Sequence, residues 1–201
     1  MTTEAALAER EPTGPMTWEE FLAFERAADR KHEYVDGFAW PWGDVELPAG
    51  LAGANRRHNT IAGNIFGELW SAARRTPGLG CRAFASDMLV RVGDVGYYAD
   101  VQLVCDPTDR NPRFTERPCV VVEVLSDSTA RTDHGEKLHA YQTIATLQAY
   151  LIVSQREQRV VRLWRSDELG TWFRDDVTAG AVFIPCLGLY LSLDAIYADL
   201  P

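Results

Sequence analysis

From Cys119 to Leu125 the chain reads Cys-Val-Val-Val-Glu-Val-Leu, apolar at every position except Glu123. A short run that is apolar on both alternating faces reads as a central strand covered on both sides. A chain with such a strand must supply one packed layer above it and another below. Period two puts Val121, Glu123 and Leu125 on one face and Val122 and Val124 on the other. Glu123 therefore carries a carboxylate into one of those layers. An ionised acid there costs several kcal/mol unless a cation accompanies it. The cation can be an Arg or Lys in a salt bridge or a bound metal, and the run alone leaves both open.

The rest of the chain supplies the covering layers. Thr17 and Glu20 form a capping box, and Met16 with Phe21 a hydrophobic staple, so a first helix is expected from Thr17 to about Ala28. His32 to Trp40 alternates and reads as a strand, followed by a Gly- and Pro-rich loop over Pro41 to Arg57. Ala62, Ile65, Phe66, Leu69 and Ala73 recur at helical spacing after His58, and Thr76-Pro77-Gly78 ends that helix. Met88 to Val92 and Tyr97 to Val104 are strand-like, and Asp133 to Ile144 is helical. Tyr150 to Val153 and Val160 to Trp164 form a hairpin pattern, Trp172 to Phe173 a short strand, and Ser192 caps a last helix through Tyr197. Helices flanking a mixed β-sheet place the chain in the α/β (α+β) class. The expected organisation is a mobile tail over 1–15 and one domain over 16–201.

Hydrophobic residues make up 46% of the 201 residues, which argues against disorder. No apolar run reaches the roughly 18–20 residues of a membrane span, and the first fifteen residues lack the basic start and apolar stretch of a secretory signal. The net charge of −9 argues against a general nucleic-acid-coating role, although Arg56, Arg57 and His58 form a local basic cluster. The cysteines are Cys81, Cys105, Cys119 and Cys186, and none forms a C-x-x-C pair, which argues against zinc. Cys105 and Cys119 sit among apolar residues and read as buried free thiols, consistent with a reducing cytoplasm.

Asp100 repeats the anomaly of Glu123 by interrupting Tyr97-Tyr98-Ala99-Asp100-Val101-Gln102-Leu103-Val104. The proline-rich connection to Cys119 lets the two strands lie side by side with both acids on one face. Two such carboxylates repel unless a cation sits between them, and Mg²⁺ takes one or two carboxylates plus waters and phosphate oxygens. The alternative is an Asp that starts a turn. Lys137 lies on the helix after Glu123, on one face with Asp133 and Tyr141. A lysine beside a carboxylate pair can orient or help deprotonate water and stabilise charge on phosphate. A solvated pair with Asp133 is the plain alternative, but the chain has only one other lysine, Lys31.

These segments together resemble the PD-(D/E)XK nuclease superfamily, and more specifically the Uma-two (Uma2) family of putative restriction endonucleases. The resemblance runs through Glu33-Tyr34-Val35-Asp36-Gly37, His58, Ser86-Asp87, Tyr98-Ala99-Asp100-Val101 and Val121-Val122-Glu123-Val124-Leu125-Ser126. It continues through Asp133-x-x-x-Lys137-x-x-x-Tyr141, Tyr150-Leu151-Ile152-Val153 and Leu193-Asp194-Ala195-Ile196-Tyr197. It covers about Thr17 to Leu200. It implies a restriction-endonuclease-like sheet with an additional C-terminal β-hairpin region and a Mg²⁺ site that Mn²⁺ can also fill. Asp100, Glu123 and the Val124 carbonyl would be ligands, with Glu33 a further acid near the metal. Two departures stand out: Ala99 replaces the proline before the acid, and Leu125 replaces the usual lysine two residues after the glutamate, its role passing to Lys137.

His58 either contacts phosphate or metal or begins a helix, Asp87 is either a supporting acid or a turn residue, and Ser126 either orients a ligand or caps a turn. The expected function is Mg²⁺-dependent hydrolysis of DNA phosphodiester bonds by a cytoplasmic homodimer, with no membrane partner. The alternatives are a catalytically silent nuclease-fold module serving as a binding or accessory subunit, and a hydrolase of small phosphodiesters.

Overall fold

The computed structural model describes residues 12–42, 55–125, 133–166, 168 and 170–200, with 133 and 134 by backbone only. Helix α1 (Trp18–Ala27) opens on the expected capping box, in which Thr17 and Glu20 bond reciprocally. What reads as one strand over His32 to Trp40 is a hairpin of β1 (His32–Val35) and β2 (Phe38–Pro41). Asp36 and Gly37 turn it with φ of 53° and 83°, the left-handed pair a two-residue hairpin needs. Thr13 exchanges backbone hydrogen bonds with Ala39 of β2, so the chain is tied to the sheet before Pro15, where the tail was expected to end.

Helix α2 (Arg56–Arg75) is followed by β3 (Arg82–Ala85), β4 (Leu89–Val92), β5 (Val95–Tyr98) and β6 (Val101–Val104). After β7 (Phe114–Thr115) and β8 (Pro118–Leu125) come α3 (Asp133–Gln142), β9 (Ala149–Ser154), β10 (Val160–Arg165) and β11 (Trp172–Val177). A hairpin of β12 (Ala181–Ile184) and β13 (Leu189–Ser192) leads to α4 (Leu193–Ile196), capped by Ser192 as expected.

One sheet has the order β11-β10-β9-β8-β6-β3, with β8 parallel to β9 and antiparallel to β6. A second has the order β2-β1-β5-β4-β7. Strand β8 is interior to the larger sheet, as its apolar run requires. Val120, Val122 and Val124 pack against Ile61, Ile65 and Leu69 of α2 and against the β12–β13 hairpin and α4. Val121, on the other face, packs with Tyr141, Ile144, Leu147 and Tyr150, and this layer continues into Val90 and Tyr97 of the second sheet. The opposite face of that second sheet holds Leu89 and Tyr98 against Trp18 and Phe21 of α1.

Two expectations are corrected. Tyr97 to Val104 is not one strand: β5 and β6 belong to different sheets, and the chain crosses between them at Ala99-Asp100. The cysteines are not free: Cys81 pairs with Cys105 and Cys119 with Cys186. The antiparallel register of β3 on β6, Arg82 opposite Val104, brings Cys81 level with Cys105, a relation sequence spacing does not display. This pairing removes the free-thiol argument for a reducing compartment. Among the described residues no helix is long and apolar enough to cross a membrane.

Candidate active site

The seam between the two sheets gathers seven of the predicted site residues: Glu33, Asp100, Glu123 and Lys137, with His58, Val124 and Tyr141 bonded to them. β1 carries Glu33, the crossing from β5 to β6 carries Asp100, β8 carries Glu123 and α3 carries Lys137. Asp100 stands where the β6–β8 ladder ends, one residue beyond the pairing of Val101 with Val122. There its Oδ2 accepts the Val124 N–H at 2.7 Å and a bond from His58 Nε2 at 3.1 Å. Asp100 thus substitutes for the missing strand partner of Val124. The N–H and C=O of one residue leave an extended strand by the same edge, so the Val124 carbonyl faces the Asp100 side too.

Helix α2 brings His58 to this point. Asn55 caps the helix, its Oδ1 accepting the His58 N–H at 2.9 Å. With the proton on Nε2 the imidazole donates to Asp100, and Nδ1 is left as a buried acceptor with no partner among the described residues. Asn55 was missed by a reading that began the helix at His58, although an Asn before a helical run is an N-cap signal. The side-chain link to Asp100 has no sequence signal.

Lys137 is only 8% exposed, and its Nζ lies 2.7 Å from Glu33 Oε1 and 3.7 Å from Glu123 Oε1. It also stands over the Tyr97 ring, 5.5 Å from the centroid. The Tyr98 N–H donates to Glu33 at 3.3 Å, and the buried Tyr141 hydroxyl donates to Glu123 Oε1 at 3.3 Å. Burial pushes the Glu123 carboxyl up to about 8; Lys137 pulls it down, Asp100 and Glu33 push it further up, and the Tyr141 bond opposes them. Glu123 thus favours its protonated form more than an ordinary carboxylic acid does, with two other acids and the Lys137 ammonium beside it.

Asp87 is not part of this group. It lies in the turn from β3 to β4, exposed, and pairs with Lys31. Ser126 lies outside the described residues, as does the side chain of Asp133. The three carboxylates do not form a tight ligand trio: among the described residues the one His, Cys, Asp or Glu group with three ligand atoms within 4.8 Å is Cys105, Cys119 and Cys186. What the seam offers a cation is the Asp100 and Glu123 carboxylates and the Val124 carbonyl, an all-oxygen set suited to a hard ion such as Mg²⁺.

Residues 18–195 match the family model described as Uma2, putative restriction endonuclease. The chain belongs to the Uma2 family. It is 31% identical over 193 residues to the uncharacterized protein slr1290 of Synechocystis, covering 94% of this chain and 95% of that one. It is 30% identical to a second Synechocystis protein, sll1609, over 72% of this chain and 78% of the other. In fold it resembles the crystal structure of a putative nuclease belonging to DUF820 from Anabaena variabilis, with a TM-score of 0.65 at 19% identity, covering 92% of this chain and 98% of that one. The Uma2 protein therefore has the nuclease-type mixed α+β fold expected from its sequence.

Proposed function

We propose that this Uma2 protein is a Mg²⁺-dependent endonuclease that hydrolyses DNA phosphodiester bonds at the seam of its two sheets. The observation that carries the reading is the gathering of Glu33 and Glu123 about the buried Lys137, at 2.7 and 3.7 Å from its Nζ, with Asp100 beside Glu123, an acid that burial pushes up. A divalent cation relieves this crowding by replacing the proton. Asp100, Glu123 and the Val124 carbonyl would hold it. Bound there, Mg²⁺ supplies charge neutralisation on phosphate and activation of water.

The chain's own groups supply the rest. The Val124 N–H and His58 fix the Asp100 carboxylate in one orientation. Glu33 holds Lys137 in place, and Lys137 Nζ–H orients the attacking water and stabilises charge developing on the phosphate. Arg57, whose Nε bonds the Gln155 carbonyl just beyond β9, sets a guanidinium one residue from His58 for backbone phosphates.

The test is cleavage of supercoiled plasmid, single-stranded DNA and RNA with Mg²⁺, Mn²⁺ or chelator. Metal-dependent nicking of DNA that chelator abolishes is expected. Purified protein inert on every polynucleotide with either metal would overturn the reading in favour of a silent nuclease-fold module. Turnover of bis-aryl phosphodiesters alone would redirect it to a small-molecule hydrolase.

A further inference from the structure

Four cysteines scattered over more than a hundred residues of sequence converge at one end of the larger sheet. Cys81 precedes β3, Cys105 follows β6, Cys119 lies in β8, and Cys186 sits in the turn Pro185–Leu187 between β12 and β13. The two disulfides, Cys81–Cys105 and Cys119–Cys186, are not separate staples: Cys105 Sγ lies 3.4 Å from Cys119 Sγ. The Sγ atoms of Cys105, Cys119 and Cys186 all lie within 4.8 Å of one another, while Cys81, bonded to Cys105, stands outside that trio. Four zinc–sulfur bonds of about 2.3 Å, arranged tetrahedrally, set sulfurs roughly 3.8 Å apart, so once both disulfides are reduced the bonded sulfurs must part and Cys81 must swing toward the other three. Absence of a C-x-x-C pair argues against zinc only while ligands must come in local pairs. Here each of four elements contributes one.

We propose that the four cysteines form a single redox-switched site: four thiolates that bind one zinc ion when reduced, and two disulfides when oxidised. Each disulfide takes two electrons from a dithiol reductant, giving two thiols and the reductant's own disulfide. The four thiols then release four protons as Zn²⁺ binds. Oxidation reverses this: two oxidant disulfides each accept two electrons and become thiols, both S–S bonds re-form, and the metal is expelled. Cys81, Cys105 and Cys186 are partly exposed, so reductant and metal can reach the cluster. Glu123 lies four residues along β8 from Cys119, on the order of 13 Å at strand rise. This soft sulfur site is therefore distinct from the oxygen-donor seam and does not depend on the nuclease reading.

The test uses the full chain reduced with a phosphine under anaerobic conditions. Zinc analysis after desalting should show roughly one ion per chain, and Co²⁺ in its place should give a sulfur-to-cobalt charge-transfer band with tetrahedral ligand-field bands. Asp100→Asn combined with Glu123→Gln should keep both signals, and Cys186→Ser should lose the charge-transfer band. A disulfide oxidant should abolish thiol titration and release the zinc together. Reduced protein with four titratable thiols but no retained zinc and no thiolate–cobalt band would overturn the proposal, as would disulfides that resist the phosphine. If Cys186→Ser does not fold, the wild-type cobalt spectrum decides.

Discussion

Glu123 is pulled two ways, up by burial and by Asp100 and Glu33 and down by Lys137, and that sets how the site responds to pH. The folded Glu123 carboxyl titrates near 8 against an ordinary value of 4.5. The folded state therefore holds a proton that the unfolded chain gives up earlier. This stabilisation is full below about pH 4.5 and is lost as pH rises through about 8. In chelator, denaturant midpoints of the wild type should fall across that window, and those of Glu123→Gln should fall less. Lys137→Ala removes a cation that pulls Glu123 down, so Mg²⁺ titrations on this variant should need higher pH. Its cleavage rate with metal saturated should drop by about 100-fold or more, because the lysine's task lies in the transition state. His58→Ala leaves Asp100 with the Val124 N–H alone and should cost about 1–3 kcal/mol, read by urea denaturation. A loss below 0.5 kcal/mol, taken as about the size of an ordinary surface change, would show that His58 does not hold Asp100.

The elements differ in how far the sequence displayed them. β8 was legible because seven consecutive positions left no exposed face, and α1 and α4 because Thr17, Glu20 and Ser192 mark their starts. The β1–β2 hairpin was legible in principle through Asp36-Gly37, but unbroken alternation on either side hid it. The crossing at Asp100 was not legible: Tyr97 to Val104 alternates as one strand would, and period two carries no information on which sheet a residue joins. The same limit hid the cysteine pairs, which follow from strand register rather than spacing. Asp100 and Glu123 were recognisable as anomalies, whereas the partners that orient them come from elements remote in sequence. Close packing between elements gives a further test at Gly96 of β5, where an added Cβ would lie 2.8 Å from the Trp18 ring. Gly96→Ala should destabilise by about 1–3 kcal/mol through displacement of α1, measured as a lower denaturant midpoint with an unchanged slope.

At the scale of the molecule, the net charge of −9 makes free approach of a polyanion unfavourable despite eighteen arginines, so binding of DNA should depend strongly on divalent cation. Cleavage of both strands at one place is simplest with two sites, which makes a homodimer our expectation for the working enzyme, to be checked by sedimentation at micromolar concentration. Burial, Asp100 and Glu33 crowd Glu123 more than Lys137 and Tyr141 offset, and a metal ion would relieve that crowding. Thermal melting of wild type and Glu123→Gln, first in chelator and then across a Mg²⁺ titration, tests it most directly. The variant should melt as high as wild type or higher in chelator at neutral pH, and Mg²⁺ should raise the wild-type melting temperature but not the variant's. A variant that melts far lower in chelator, with no Mg²⁺ response in the wild type, would make Glu123 a structural partner of Lys137 and not a metal ligand.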